Sequence, residues 1–503
     1  MHRIICSAAV VVLLASCTAV PIRTNRCDAS KEANRCEQYA RTVETSIKQI
    51  NESPLHREEV KAATFENHRA DGFQVGFIEF DDQGWFHNHE QFETVKAQVE
   101  KALSIDRPKQ TPAILVAFTH GWRHTAAACD RDVVCFREVL RGLAVYEEER
   151  AKLCGDPAKP ECARRMVVGV MTGWRGAPIS KRAGLLENLN VLSFYSRKRT
   201  AHLIGQSGYV STVVGWLNQL HRRLPENSRL VLAGHSFGGA MLFSSVAGVL
   251  NQQVAEARYR PGRPDLLNCD SFDPAGIGDL VVLLNPAFEA LRYDSIHDRT
   301  RDLVDCKPRR TLMLTLASET DRYNSIAFTA GRALGTLFQR FPSAKQRSQS
   351  LHAVGHHTDF QTHRLDANTA LSQTRALFTD VDGTTVKEPC RCQYKVNEEA
   401  MRQLARDVAT AGARGAGSAL AAYGFSDGGV CTAPSCLKPV PGKQMHNPFK
   451  VVQVDSEIIN GHSDIYNPRI LDFLVRSVSS AADPRVAPPR PVPSAATQPA
   501  PMP

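Results

Sequence analysis

The sequence predicts an α/β chain, a mainly parallel sheet with helices on both faces, and three observations carry that expectation. Continuous apolar runs of strand length recur at Ala113–Phe118, Met166–Val170, Leu230–Ala233, Leu280–Leu284 and Leu312–Leu316, with a shorter one at Val451–Val454. Strands buried on both faces read this way, whereas half-buried strands alternate. Segments of helix length separate most of the runs, as parallel crossovers require. Finally, the stretch RLVLAGHSFGGAMLFSSVAGVL, Arg229–Leu250, reads as strand, tight turn and helix without a break. After the turn, Ala240, Phe243, Ala247 and Leu250 recur at helical spacing.

Taken in order, the chain opens with Met1-His2-Arg3 and an apolar run from Ile4 to Leu14. Eleven residues are too few to span a bilayer but suit an export signal, expected over 1–16. From Cys17 to Lys61 the sequence is polar and is expected to be a tether with a helix at Glu37–Ile50. Phe73, Val75 and Phe77 alternate before Asp81-Asp82-Gln83-Gly84, which predicts an early strand and a turn. The 503 residues could hold two or three domains, but the strand order argues for one large domain. Its core is expected over 62–345 and 447–480, interrupted by a lid-like subdomain over 346–446, because a minimal connection there needs only a helix and a strand. A closing helix is expected after Asn467-Pro468, with Ile470, Leu471 and Leu474 on one face. The tail, 481–503, is rich in Pro and Ala and has no face to bury.

Setting aside Cys6 in the signal and Cys17, twelve of the fourteen cysteines remain, an even number with many close neighbours. In an oxidising compartment this predicts disulfides. The expected bridges are Cys27–Cys36, Cys129–Cys135, Cys154–Cys162 and Cys269–Cys306, with two more among Cys390, Cys392, Cys431 and Cys436. No metal is expected there, since C-x-C and C-x4-C are not paired C-x2-C knuckles. Nor is one expected at the His352, His356, His357, Asp359 and His363 group. The net charge of +9 is modest for this length and shows no concentrated basic run, which argues against nucleic acid as a partner.

Catalytic groups in open parallel sheets collect at the carboxyl ends of strands. Several runs end in reactive side chains. Thr119-His120-Gly121-Trp122 follows the first, Ser236 the elbow strand, Ser318-Glu319-Thr320-Asp321 the Leu312–Leu316 run, and Asp455 with Gly461-His462 the last. Gly234-His235-Ser236-Phe237-Gly238 is a G-x-S-x-G pentad whose glycines free the apex of Cβ collisions.

On these residues the chain resembles the α/β-hydrolases, over roughly Phe73–Ser477. Resemblance implies a nucleophile elbow at Ser236, an acid at Asp321 and a base at His462, in the chain order of that family. Glu319 shares the acid's loop and is the alternative there; His356, His357 and His446 are alternatives to His462. It also implies an oxyanion hole from the backbone N–H groups of Phe237 and Trp122. The expected activity is hydrolysis of a small-molecule ester or lipid, with no cofactor. A non-catalytic envelope lipoprotein that binds a lipid or protein partner is the alternative. Leu14-Ala15-Ser16-Cys17 resembles a bacterial lipobox, which implies lipidation of Cys17 and a membrane anchor in the cell envelope, with Thr18 favouring the outer membrane.

Overall fold

The computed structural model describes residues 64–481 except 109, 155–158, 160–161, 177–192, 261–262, 268–273, 302–310, 369–375, 382–390, 414–429, 433–434 and 443–446. The signal, the tether with Cys17, the tail, the expected bridges Cys27–Cys36 and Cys269–Cys306, and His446 lie outside these residues.

The strands are β1 (Phe65–His68), β2 (Phe73–Phe80), β3 (Ala113–Thr119), β4 (Met166–Trp174), β5 (Arg229–His235), a small hairpin of β6 (Tyr259–Arg260) and β7 (Arg263–Leu267), β8 (Leu280–Leu284) and β9 (Met313–Ser318). Then come β10 (His363–Ala367), a second ribbon of β11 (Phe378–Asp380) and β12 (Tyr394–Val396), β13 (Val430–Thr432), β14 (Ser435–Pro439) and β15 (Phe449–Val454). Eleven of them form one sheet in the order β1-β2-β4-β3-β5-β8-β9-β15-β10-β14-β13. Pairing is parallel from β2 to β10 and antiparallel at both margins. The expected α/β architecture is therefore present.

The helices are α1 (His89–Ala102), α2 (Arg131–Leu153), α3 (Phe194–Gly205), α4 (Gly208–Arg223), α5 (Phe237–Arg258), α6 (Ala290–Thr300), α7 (Phe328–Gly335), α8 (Ala344–Leu351), α9 (Glu398–Ala413) and α10 (Pro468–Ala481). They flank the sheet because each central strand is apolar on both sides. Ala113, Leu115 and Ala117 of β3 enter a core with residues of α1, α3, α4, α5 and α6. Ile114, Val116 and Phe118 enter a second core with residues of α2, α9 and α10. None of the described helices is long and apolar enough to cross a membrane.

Two expectations change here. The described part of 346–446 is not a body set apart: β10 pairs in parallel with β15, and β14 and β13 carry the sheet further, while α9 packs along α2. These strands are short and polar, HRLDA and SCLKP, so no apolar run announced them. The second correction concerns disulfides. Cys154–Cys162 forms, but Cys135 in α2 bridges Cys392, 257 residues away, instead of its neighbour Cys129. Cys129 and Cys436 are also disulfide-bonded. Cys392 is thus unavailable to Cys431 or Cys436, and the two bridges expected within that set cannot both form. Helix α2 lies against β12, which brings the two sulfurs together regardless of sequence distance.

Candidate active site

Ser236 stands between β5 and α5 with φ 54° and ψ −120°, a conformation that non-glycine residues rarely adopt. The surrounding glycines make the turn possible. A Cβ on Gly234 would lie 2.8 Å from the carbonyl oxygen of Gly238, and one on Gly238 would collide with the carbonyls of Thr119 and His120. Helix α5 can therefore begin against the end of β3 only with glycine there. The Ser236 backbone is pinned as well, donating from N to Leu284 O at 2.9 Å and accepting from Ala287 N at 3.1 Å.

The structure brings three expected residues together. Ser236 Oγ lies 2.7 Å from His462 Nε2, and His462 Nδ1 lies 2.7 Å from Asp321 Oδ2. A carboxylate only accepts hydrogen bonds, so Nδ1 carries the imidazole proton and Nε2 is left to accept the one from Ser236. Asp321 is fully buried, and its other oxygen accepts from the N–H groups of Tyr323 and Asn324, both at 3.0 Å. Burial pushes its carboxyl up, but His462 and these N–H groups outweigh that and hold it below the ordinary carboxylate value. Glu319 points elsewhere, pairing with Arg364 at 3.1 Å. His356 lies near enough to Asp321 to interact electrostatically but makes no hydrogen bond to Ser236, and His357 contacts Ser348 and Phe360.

The loop expected to complete an oxyanion hole lies against the serine. A Cβ on Gly121 would come within 3.0 Å of Ser236 Cβ, so the backbone entering Trp122 packs against Ser236. Phe237 is the first residue of α5, and its N–H has no intrahelical partner. His120 holds this loop. Its Nε2 accepts from Trp174 N at 3.1 Å, its Nδ1 faces Gly121 O at 3.1 Å, and Trp174 Nε1 donates to His120 O at 3.0 Å. Burial drives its imidazole down to about 4, so the ring is neutral.

Two positioning residues were missed by the sequence reading. Asn285 has φ 43° and is completely buried. Its Nδ2 donates to Gly461 O at 3.1 Å and His462 O at 2.9 Å, while its Oδ1 accepts from Ser318 N at 2.8 Å. One side chain thus ties the acid's strand to the histidine's loop. It directly follows the Leu280–Leu284 run, the same signal that singled out Ser236 and Asp321. His235 donates from Nε2 to His462 O at 3.0 Å. Burial and the nearby His462 push its own imidazole well below the usual range. His235 therefore stays neutral and adds no positive charge of its own beside His462.

Two other groups of described residues have metal-ligand spacing, His124 with Asp130 and Asp132, and Asp294 with His297 and Asp298. Asp130 already caps α2 through Asp132 N and accepts from Thr125 N, and neither group includes the residues around Ser236. A cleft of about 860 Å³ lined by Arg69, Lys101, Arg107 and Arg164 opens at the amino ends of β2 and β4, opposite Ser236. Reactive groups in a parallel sheet collect at the carboxyl ends. No family model, no curated protein and no solved structure matches this chain, so the chemistry is argued from the arrangement of its own residues.

Proposed function

We propose that this protein is a serine hydrolase of the α/β-hydrolase type that cleaves carboxylic esters through an acyl-enzyme. The observation that carries the reading is the unbroken line from Ser236 Oγ through His462 to Asp321, with both links at 2.7 Å. In this scheme Ser236 Oγ attacks the ester carbonyl carbon while His462 Nε2 takes its proton, and the buried Asp321 carboxylate stabilises the imidazolium. The oxyanion is received by the N–H groups of Phe237 and Trp122. Collapse expels the alcohol, which takes the proton from Nε2 and leaves an acyl ester on Ser236. Water then attacks that ester with His462 again as base, releasing the acid and restoring the serine. The lipobox-like Leu14-Ala15-Ser16-Cys17 supports a lipid anchor at Cys17 and a place in the bacterial envelope.

The test is hydrolysis of a short-chain chromogenic ester, together with fluorophosphonate labelling. Ser236→Ala, His462→Ala and the double variant should each lose on the order of 10⁴ to 10⁶ in turnover without adding, because either change breaks one proton path. A folded Ser236→Ala protein that keeps most of the parent's rate, or a parent that resists the probe, removes the mechanism and leaves a binding protein.

A further inference from the structure

Six of the twelve large apolar side chains exposed among the described residues are Tyr195 and five in the stretch that runs out from this site, Tyr323 to Phe338. Tyr195 and Tyr323 are nearly half exposed, Ile326 is 62 %, Leu334 75 %, Leu337 67 % and Phe338 97 % exposed. Exposed apolar side chains concentrated in one stretch that starts at the candidate site mark an interaction surface. It is a fixed face rather than a frayed end. Phe328 is buried beneath α7, Arg332 donates to Ser350 O at 3.0 Å, and Tyr195 donates to Ala327 O at 2.9 Å. The face begins at the chemistry, with the Tyr323 ring 5.4 Å from that of His462 and 6.3 Å from that of Trp122.

Charge identifies the occupant. From Arg322 to Thr358 the chain has five Arg and Lys residues and no Asp or Glu. Arg332 and Lys345 are paired with carboxylates on α6 and in the turn before it. Arg322, Arg340 and Arg347 are exposed and form no ion pair among the described residues. A second copy of the chain placed on this face would set arginine against arginine. An anionic bilayer instead offers hydrocarbon to Leu334, Leu337 and Phe338 and phosphate to the arginines.

We propose that the Arg322–Arg347 shoulder docks on the surface of anionic lipid membranes, bringing Tyr323 and the Ser236 site beside it toward the bilayer. The docking itself does not need the hydrolase reading; only the consequence for substrate delivery does. The test uses the full chain carrying Cys17→Ser, so that no acyl anchor contributes, and vesicles of phosphatidylcholine with or without one third phosphatidylglycerol. The parent should sediment with the anionic vesicles at least about tenfold more strongly than with the neutral ones. Binding should fall by a similar factor in Arg340→Glu/Arg347→Glu and in Leu334→Ser/Leu337→Ser/Phe338→Ser. Ser236→Ala should bind like its parent, which separates failure of docking from failure of catalysis. Equal partitioning onto both vesicles, unchanged binding in the charge-reversed protein, or a dimer in solution that the serine variant dissolves would each overturn the proposal.

Discussion

Ser236 and His462 meet at 2.7 Å, yet they are held in place by opposite means. The serine is fixed by its own backbone, in a turn so tight that Gly234 and Gly238 have no room for a Cβ. The histidine sits after Gly461 in a loop between β15 and α10, and side chains from distant strands, Asn285 and His235, grip its carbonyl. Backbone sterics and backbone hydrogen bonds therefore hold Ser236, whereas side-chain hydrogen bonds hold His462. The first kind of restraint fails all at once, whereas the second weakens by degrees.

Gly238→Ala should have the largest effect on that contrast. Its methyl meets backbone carbonyls that cannot give way, so fluorophosphonate labelling should vanish and urea unfolding should show a loss of about 3 kcal/mol or more. Gly248→Ala, on the same helix but facing open space, should be neutral or stabilising by up to about 1 kcal/mol. Equal effects at the two positions would refute the steric account.

Asp321→Asn should lower turnover by on the order of 10² to 10⁴, since the imidazole survives without its orienting carboxylate. Glu319→Gln should change the rate by no more than a few-fold, because that side chain faces Arg364. The reverse ranking would move the acid's role to Glu319.

Asn285→Ala leaves the Gly461 and His462 carbonyls and the Ser318 N–H without this partner. A fall in kcat of about 10- to 100-fold with little change in KM is expected, the sign of a loosened base rather than a lost binding contact. A change confined to KM would contradict a positioning role.

The smallest effect concerns His120 behind the Gly121–Trp122 loop. Its folded value near 4 lies below that of a free imidazole, about 6.5, so over that interval the unfolded chain binds a proton that the folded protein refuses. Stability should therefore drop as pH falls from about 6.5 toward 4, with His120 contributing on the order of 1 to 2 kcal/mol at pH 5. Urea midpoints of parent and His120→Gln at pH 7 and pH 5 check this, and an identical slope in both would show that His120 does not titrate as buried.

What the sequence displayed follows the same division. The elbow and the central strands could be read because their causes are local: glycines two residues from a serine, and apolar runs of strand length. Asp321 and His462 could be read from their place after strands. The grip of Asn285 on His462 could not, because its partner lies 177 residues away and nothing near Asn285 specifies the loop that arrives there. The strands β10 and β14 escaped for a related reason, since β10 acquires strand character from β15, and β14 from β10, rather than from their own polar patterns.

The Cys135–Cys392 bridge has a consequence for how the chain is made. As the polypeptide emerges from its amino end, Cys129 and Cys135 become available long before Cys392, with the whole of β4 to β10 still to come. An oxidant that joins cysteines in order of appearance would close the six-residue loop first and trap a wrong partner. Maturation then depends on a thiol able to reopen that early bond, so the yield of native protein should be limited by disulfide shuffling rather than by oxidation.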